Sequence, residues 1–165
     1  MALRANICLI TSETFEAVKS GDLKKWTPCE DKTSVELETS WHAIHFLLTG
    51  DASMTFLRSG VQVPPEASGH IEVHSPRDVA ALDARLSRTT ISELMSAFDS
   101  AKFDELGIYG GRWAVPTDVS EPYTFKAREE SDKWLRADIE GLLVQFMAFV
   151  KHAAANDLGM LVTIL

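Results

Sequence analysis

The segment from Arg128 to Asn156 constrains this chain most. Trp134, Leu135, Ile139, Leu142, Leu143, Phe146, Met147, Val150 and Ala153 recur there at spacings of three and four, the period of a helix with a wide apolar stripe. Gly159 stops the pattern, and "MLVTIL" after it reads as a strand buried on both faces. Burying each large apolar side chain of such a helix is worth roughly 1.5 to 3 kcal/mol. The remaining segments must therefore supply a surface for this helix to cover.

They do so as short elements. In "LRANICLI", Leu3, Ala5, Ile7 and Leu9 alternate with Arg4 and Asn6 before the run turns fully apolar, which predicts a strand. Thr11 or Ser12 then caps a short helix carrying Phe15 and Val18, with Gly21 after its end. A further helical turn is expected through "DLKKW", before Pro28. "TPCEDKTSVELE" reads as a loop, and "SWHAIHFLLTGD" as a helix of about three turns, with Thr39 or Ser40 at the N-cap and Gly50 as the stop. "DASMTFLRSGVQVPPEASG" contains Pro64 and Pro65 and reads as a helical turn followed by a loop.

"HIEVH" alternates as a strand, and Ser75 and Pro76 occupy the N-cap and N1 positions of the helix "SPRDVAALDARL". Thr90 and Glu93 have capping-box spacing ahead of an Ile91, Leu94, Met95, Phe98 stripe, and "SAKFDEL" forms another short helix ended by Gly107. "IYGGRWAVPTDVSEPYTF" is irregular. The order implies one α+β domain over residues 1–165, a small sheet of three to four strands covered by several helices, including the long one in the C-terminal half. No linker divides it.

Composition narrows the function classes. The 165 residues are 45% apolar and 24% charged, with a net charge of -8, so phosphate backbones and anionic membranes would repel the chain. Nucleic acid and membrane are excluded as partners, whereas another protein or a cationic ligand stays open. Nothing fixes the oligomeric state, and no stretch approaches a membrane span. The two cysteines, Cys8 and Cys29, lack metal-type spacing and are expected as reduced thiols of a cytoplasmic protein.

Several side chains invite chemistry. His42 and His45 lie about 60° apart around one helix, so both rings can approach one ion; two ligands do not complete a site, and His45 shares a face with Trp41, Ile44 and Leu48, which favours a packed, hydrogen-bonded ring. His70, Glu72 and His74 alternate on one strand face, a spacing able to chelate zinc, but also the ordinary solvent-facing side opposite Ile71 and Val73. Asp51 follows a helix C-terminus, where the macrodipole disfavours an anion. It can cap the next turn, or stand at a pocket rim near Tyr109.

The catalytic candidates are therefore His45, Asp51 and Tyr109. Trp41 and His42, with Trp113 and Tyr123 from the irregular segment, are candidates for a binding surface; the aromatics of that segment can equally staple it to the core, the reading preferred for Trp113, with Tyr123 open. Cys8 in an apolar strand is a poor thiolate, no serine sits in a nucleophile-elbow setting, and "YGGRW" lacks the spacing and the Lys-Ser/Thr of a phosphate loop. No cofactor is implied.

Three blocks resemble the YfbM-like family, small bacterial proteins classed as a domain of unknown function. They are "VELETSWHAIHFLLTGD", "SPRDVAALDARLSRTTISELMSAFDSAKFDELGIYGGRW" and "LLVQFMAFVKHAAANDLGMLVTIL". With the first strand and "GDLKKW", the likeness spans nearly the whole chain. The family pattern has a proline after Ile-Tyr, where this chain has Gly110. The resemblance implies a single α+β domain and no particular activity. The acidic balance, and the lack of a coherent catalytic set, lead to the expectation of a non-catalytic domain that binds another protein through an acidic surface and the 108 to 125 segment.

Overall fold

The computed structural model describes residues 3–22, 34–57, 59–63, 70–109 and 125–165. Five strands form one antiparallel sheet: β1 (Ala5–Ile10), β2 (Ser34–Glu38), β3 (Val61–Val63), β4 (His70–His74) and β5 (Gly159–Ile164), in the order β2-β1-β5-β4-β3. The expectation of three to four strands is thus corrected by the two edges. β2 alternates buried Val35 and Leu37 with exposed Glu36 and Glu38, a strand pattern hidden inside what reads as a loop. β3 is three residues long, too short for periodicity to register. The fully apolar β5 lies at the centre, buried at every position, as its lack of alternation requires.

Helices cover both faces. On one side α1 (Ser12–Lys19) lays Phe15 and Val18 against Cys8, Ile10, Val63, Val73 and Leu161. The other carries the larger core, built by α2 (Trp41–Thr49), α3 (Pro76–Leu86), α4 (Ile91–Met95), α5 (Ser100–Glu105) and α6 (Phe125–Ala155). Ile139, Leu143, Phe146, Val150 and Ala153 of α6 are fully buried there against Met160, Val162 and Ile164 of β5. Trp134 departs from the expected stripe. It is 73% exposed on the outer side of α6, while its neighbour Leu135 packs against the core.

Local signals place the ends. Thr11, Ser75 and Thr90 each accept a backbone N–H as N-caps, the last two within capping boxes closed by Asp78 and Glu93. Ser40 occupies the N-cap of α2 without a side-chain cap bond, and Gly50 ends that helix in the left-handed region at φ 70. Residues 53–56 bend where a helical turn was expected. Cys8 is disulfide-bonded, which corrects the expectation of reduced thiols; the "DLKKW" turn after Asp22, Cys29 and Gly110 lie outside the described residues.

Candidate functional site

Residues 51–57, 59 and 60 run irregularly between α2 and β3, yet Phe56 and Leu57 are buried. Buried backbone outside helix and sheet must find its hydrogen bonds elsewhere. Side chains provide them. The Leu57 N–H donates to Nδ1 of His45 at 3.0 Å, and the Phe56 N–H to Oε1 of Glu72 at 3.0 Å. The Tyr109 N–H donates to Nδ1 of His42 at 2.8 Å, while the other ring nitrogen of His42 meets the Ala52 carbonyl at 3.1 Å.

Those partners fix the protonation pattern. A backbone N–H can only donate, so Nδ1 of both histidines is bare and Nε2 carries the proton. His42 gives that proton to Ala52, and His45 points it at Thr49 Oγ1, 3.5 Å away, and Asp51 Oδ2, 3.8 Å away. Burial pushes the His42 pKa below its ordinary 6.5, against the opposing pull of the Ala52 and Ser53 backbone and the Asp51 charge. The neutral ring is the one the structure uses.

Aromatic contacts align these groups. Trp41 stacks on His42 at 5.1 Å and His42 on His45 at 6.2 Å, then His45 meets Phe56, whose ring packs edge-on against Phe146 of α6. α2 can hold such a column because every residue from Trp41 to Leu48 is buried. Both histidines are accordingly in the core.

β4 contributes from below. Its register pairs His70, Glu72 and His74 with Ile164, Val162 and Met160, all on the larger-core face of β5, so the polar side of β4 faces inward. This corrects the expectation of a solvent-facing side. Ile71 and Val73 also pack, under α1. Glu72 is 2% and His74 1% exposed.

Glu72 sits between two imidazoles, with His70 Nε2 2.5 Å from Oε1 and His74 Nε2 3.6 Å from Oε2. Burial alone would raise its pKa, but the His74 and His70 rings and the Phe56 N–H outweigh it and hold the carboxyl below the ordinary range. Nδ1 of His74 lies 3.2 Å from Oγ of Ser59. Glu72 Oε2, His74 Nε2 and Trp41 Nε1 are buried atoms without a hydrogen-bond partner among the described residues. No group of three or more His, Cys, Asp or Glu among these residues is arranged to hold a metal ion; the two Glu72 oxygens serve separate imidazoles.

Of the catalytic candidates, the structure brings His45 and Asp51 together. Tyr109 joins them only through His42, and its hydroxyl accepts the Leu3 N–H at 2.6 Å. Asp51 accepts the N–H and hydroxyl of Ser53 at 3.3 and 2.6 Å, a local turn in place of the expected helix cap. Trp41 and His42 are buried, and Trp113 and Tyr123 lie outside the described residues. Two surface hollows lie elsewhere, one around Arg4, Glu38 and Thr163, the other around Phe98, Asp99, Asp132 and Arg136. Sequence reasoning passed over Ser59 and Gly60, whose importance depends on where β3 and β4 bring them.

Comparison with known proteins agrees with this architecture. The sequence matches the family model described as a domain of unknown function (DUF1877) over residues 1–163. The fold is similar to that of a protein of unknown function, YfbM from Escherichia coli, with a TM-score of 0.56 and 18% identity, covering 98% of this chain and 99% of that one. No curated protein matches the sequence significantly.

Proposed function

Because this chain belongs to the DUF1877 family of YfbM-like domains, a membership that carries no activity, we propose that it is a cytoplasmic domain that binds another protein. The outer face of α6 is the docking surface. Trp134, 73% exposed, is the observation that carries this reading, since tryptophan is a frequent interface anchor. Exposed Ala137, Val144 and Ala148, with half-buried Gly141, continue from it along α6 at the three-and-four spacing of a helix-packing seam.

Exposed Asp138 and Glu140, together with exposed Lys133 and Lys151, flank the seam, which suits an apolar helix with charges of both signs at its margins. The 108 to 125 segment, expected to share the contact, lies largely outside the described residues, so the weight falls on α6. A photo-crosslinking residue at position 134 should trap one defined protein in living cells, with none trapped from exposed Arg88. Equal trapping at both positions, or none at 134, refutes the reading.

An alternative is a ligand or catalytic cleft around His45, Asp51 and Tyr109. The 3.8 Å approach of His45 to Asp51 supports it. A fully buried His45 and a Tyr109 hydroxyl engaged with Leu3 favour the binding domain. The cytoplasmic part of the reading rests on the acidic, ordinary composition, and the Cys8 disulfide runs against it. Alkylation of free thiols in intact cells tests it: an alkylated Cys8 supports the cytoplasm, and a Cys8 left unalkylated because it is oxidised argues for another compartment.

A further inference from the structure

Ser59, His74 and Glu72 form a chain of contacts that the backbone-holding role of this region does not require. Ser59 is exposed, and its Oγ lies 3.2 Å from Nδ1 of His74. The opposite ring nitrogen faces Glu72 Oε2 at 3.6 Å, an ion-pair distance longer than a hydrogen bond, and both of those atoms are buried without a hydrogen-bond partner among the described residues. A proton on Nε2, directed at an ionised Glu72, leaves Nδ1 as an acceptor for the serine hydroxyl. This is the order of hydroxyl, imidazole and carboxylate that activates a serine, with the two ring nitrogens exchanged relative to the serine proteases.

The surrounding backbone is shaped to hold it. Leu57, two residues before Ser59, has φ 61, a left-handed conformation that a branched side chain adopts at a cost of about 1 to 3 kcal/mol. The Ser59 N–H returns to the Leu57 carbonyl at 2.7 Å, so the serine stands at the end of a tight turn. Gly60 follows, and a Cβ there would lie 2.9 Å from Cε1 and Nε2 of His74 and 3.1 Å from Glu72 Oε2. Glycine thus lets the backbone close over the imidazole and carboxylate, shielding them while the serine remains accessible.

We propose that Ser59 is an activated nucleophile for acyl transfer from carboxylic esters, with His74 as its general base and Glu72 as the positioning residue. Ser59 Oγ attacks the ester carbonyl carbon, its proton passes to Nδ1 of His74, and the carbonyl π pair moves onto oxygen. Collapse of that tetrahedral species breaks the bond to the leaving oxygen, which takes the proton back from His74 and departs as an alcohol. Water then attacks the acyl-serine with His74 again accepting a proton; collapse of this second tetrahedral species breaks the acyl–Oγ bond, Oγ takes the proton back from His74, and the carboxylic acid leaves with Ser59 restored. The step needs no cofactor or redox partner, and stands independently of whether α6 binds a protein.

The test uses the full chain with an alkyl fluorophosphonate and with p-nitrophenyl acetate. Peptide mapping should place the phosphonate on Ser59, with Ser53, the neighbouring exposed serine, unlabelled. Ser59→Ala, a surface change that leaves the circular dichroism intact, should abolish labelling and lower ester hydrolysis on the order of 100-fold, the scale of general-base assistance. Glu72→Gln should slow acylation and redistribute the His74 ring proton, read from the 15N shifts of its two nitrogens, a signature that a packing role leaves unmoved. If Glu72→Gln does not fold, the Ser59→Ala comparison alone decides. Labelling of Ser53 as fast as Ser59, no labelling of Ser59, or unchanged hydrolysis in Ser59→Ala overturns the proposal.

Discussion

At the scale of single residues, the hydrogen bonds explain why His42 and His45 are where they are: each offers a bare Nδ1 to a backbone N–H that has no partner in helix or sheet. Protonating either ring replaces an acceptor with a donor facing a donor. The lowered His42 pKa has a definite sign for stability. Its contribution is present above the unfolded value of 6.5 and is lost as pH falls through the depressed folded value. Glu72, also lowered, acts further down: its contribution is present above the ordinary value of 4.5 and is lost as pH falls from there through the depressed folded value. Thermal melts should therefore show stability falling first below about pH 6.5, then again in stronger acid. His42→Asn should lower stability throughout and shrink the first fall; an unchanged profile would refute the assignment. Gly50→Val isolates another residue-level cost, because no atom lies within 4 Å of the added Cβ and only the φ of 70 is strained. A loss of about 1 kcal/mol or more is expected, read as a melting temperature lower by about 2 to 4 °C per kcal/mol. Gly50 is legible from the sequence as a helix stop. The histidines are legible as packed, but not what they hold, because the Leu57 and Tyr109 backbones reach them from 12 and 67 residues away.

At the scale of elements, the capping residues carry their own positions in the sequence, and Ser75 with Asp78 closes both halves of a capping box at the start of α3. Ser75→Ala should cost about 1 kcal/mol. Ser40→Ala should cost far less, since Ser40 makes no cap bond with its side chain. Urea denaturation of the two variants distinguishes them, and equal losses would contradict the cap geometry. Such signals are local, which is why α1, α3, α4 and α5 are legible. β2 and β3 are not. Each is short and bonded along one edge only; the alternation of β2 spans five residues and β3 only three, too little pattern to stand out from the loops around them. β4 shows the same limit on its faces: "HIEVH" announces a strand, while the direction of His70, Glu72 and His74 is decided by pairing with β5. A register shifted by one residue would send all three to the α1 side.

At the scale of the whole molecule, α6 and β5 organise the fold, and their patterns are the strongest in the sequence. What those patterns leave unstated is that the core contains a polar layer. Trp41, His42, His45 and Phe56 form one stack between α2 and α6, and Glu72 and His74 rise from the sheet to meet the same irregular segment. Phe56 and Leu57 are thereby held in the core, although the segment around them looks like a loop, and Ser59 and Gly60 take their places from that anchoring. An apolar layer of the same volume could not satisfy the amides of Phe56, Leu57 and Tyr109. Native-state amide hydrogen exchange tests this most directly. The Phe56, Leu57 and Tyr109 amides should be protected to nearly the degree of the central strand β5, opening only with global unfolding. Exchange at the rate of an unprotected loop at Phe56 and Leu57, with β5 still protected, would contradict it.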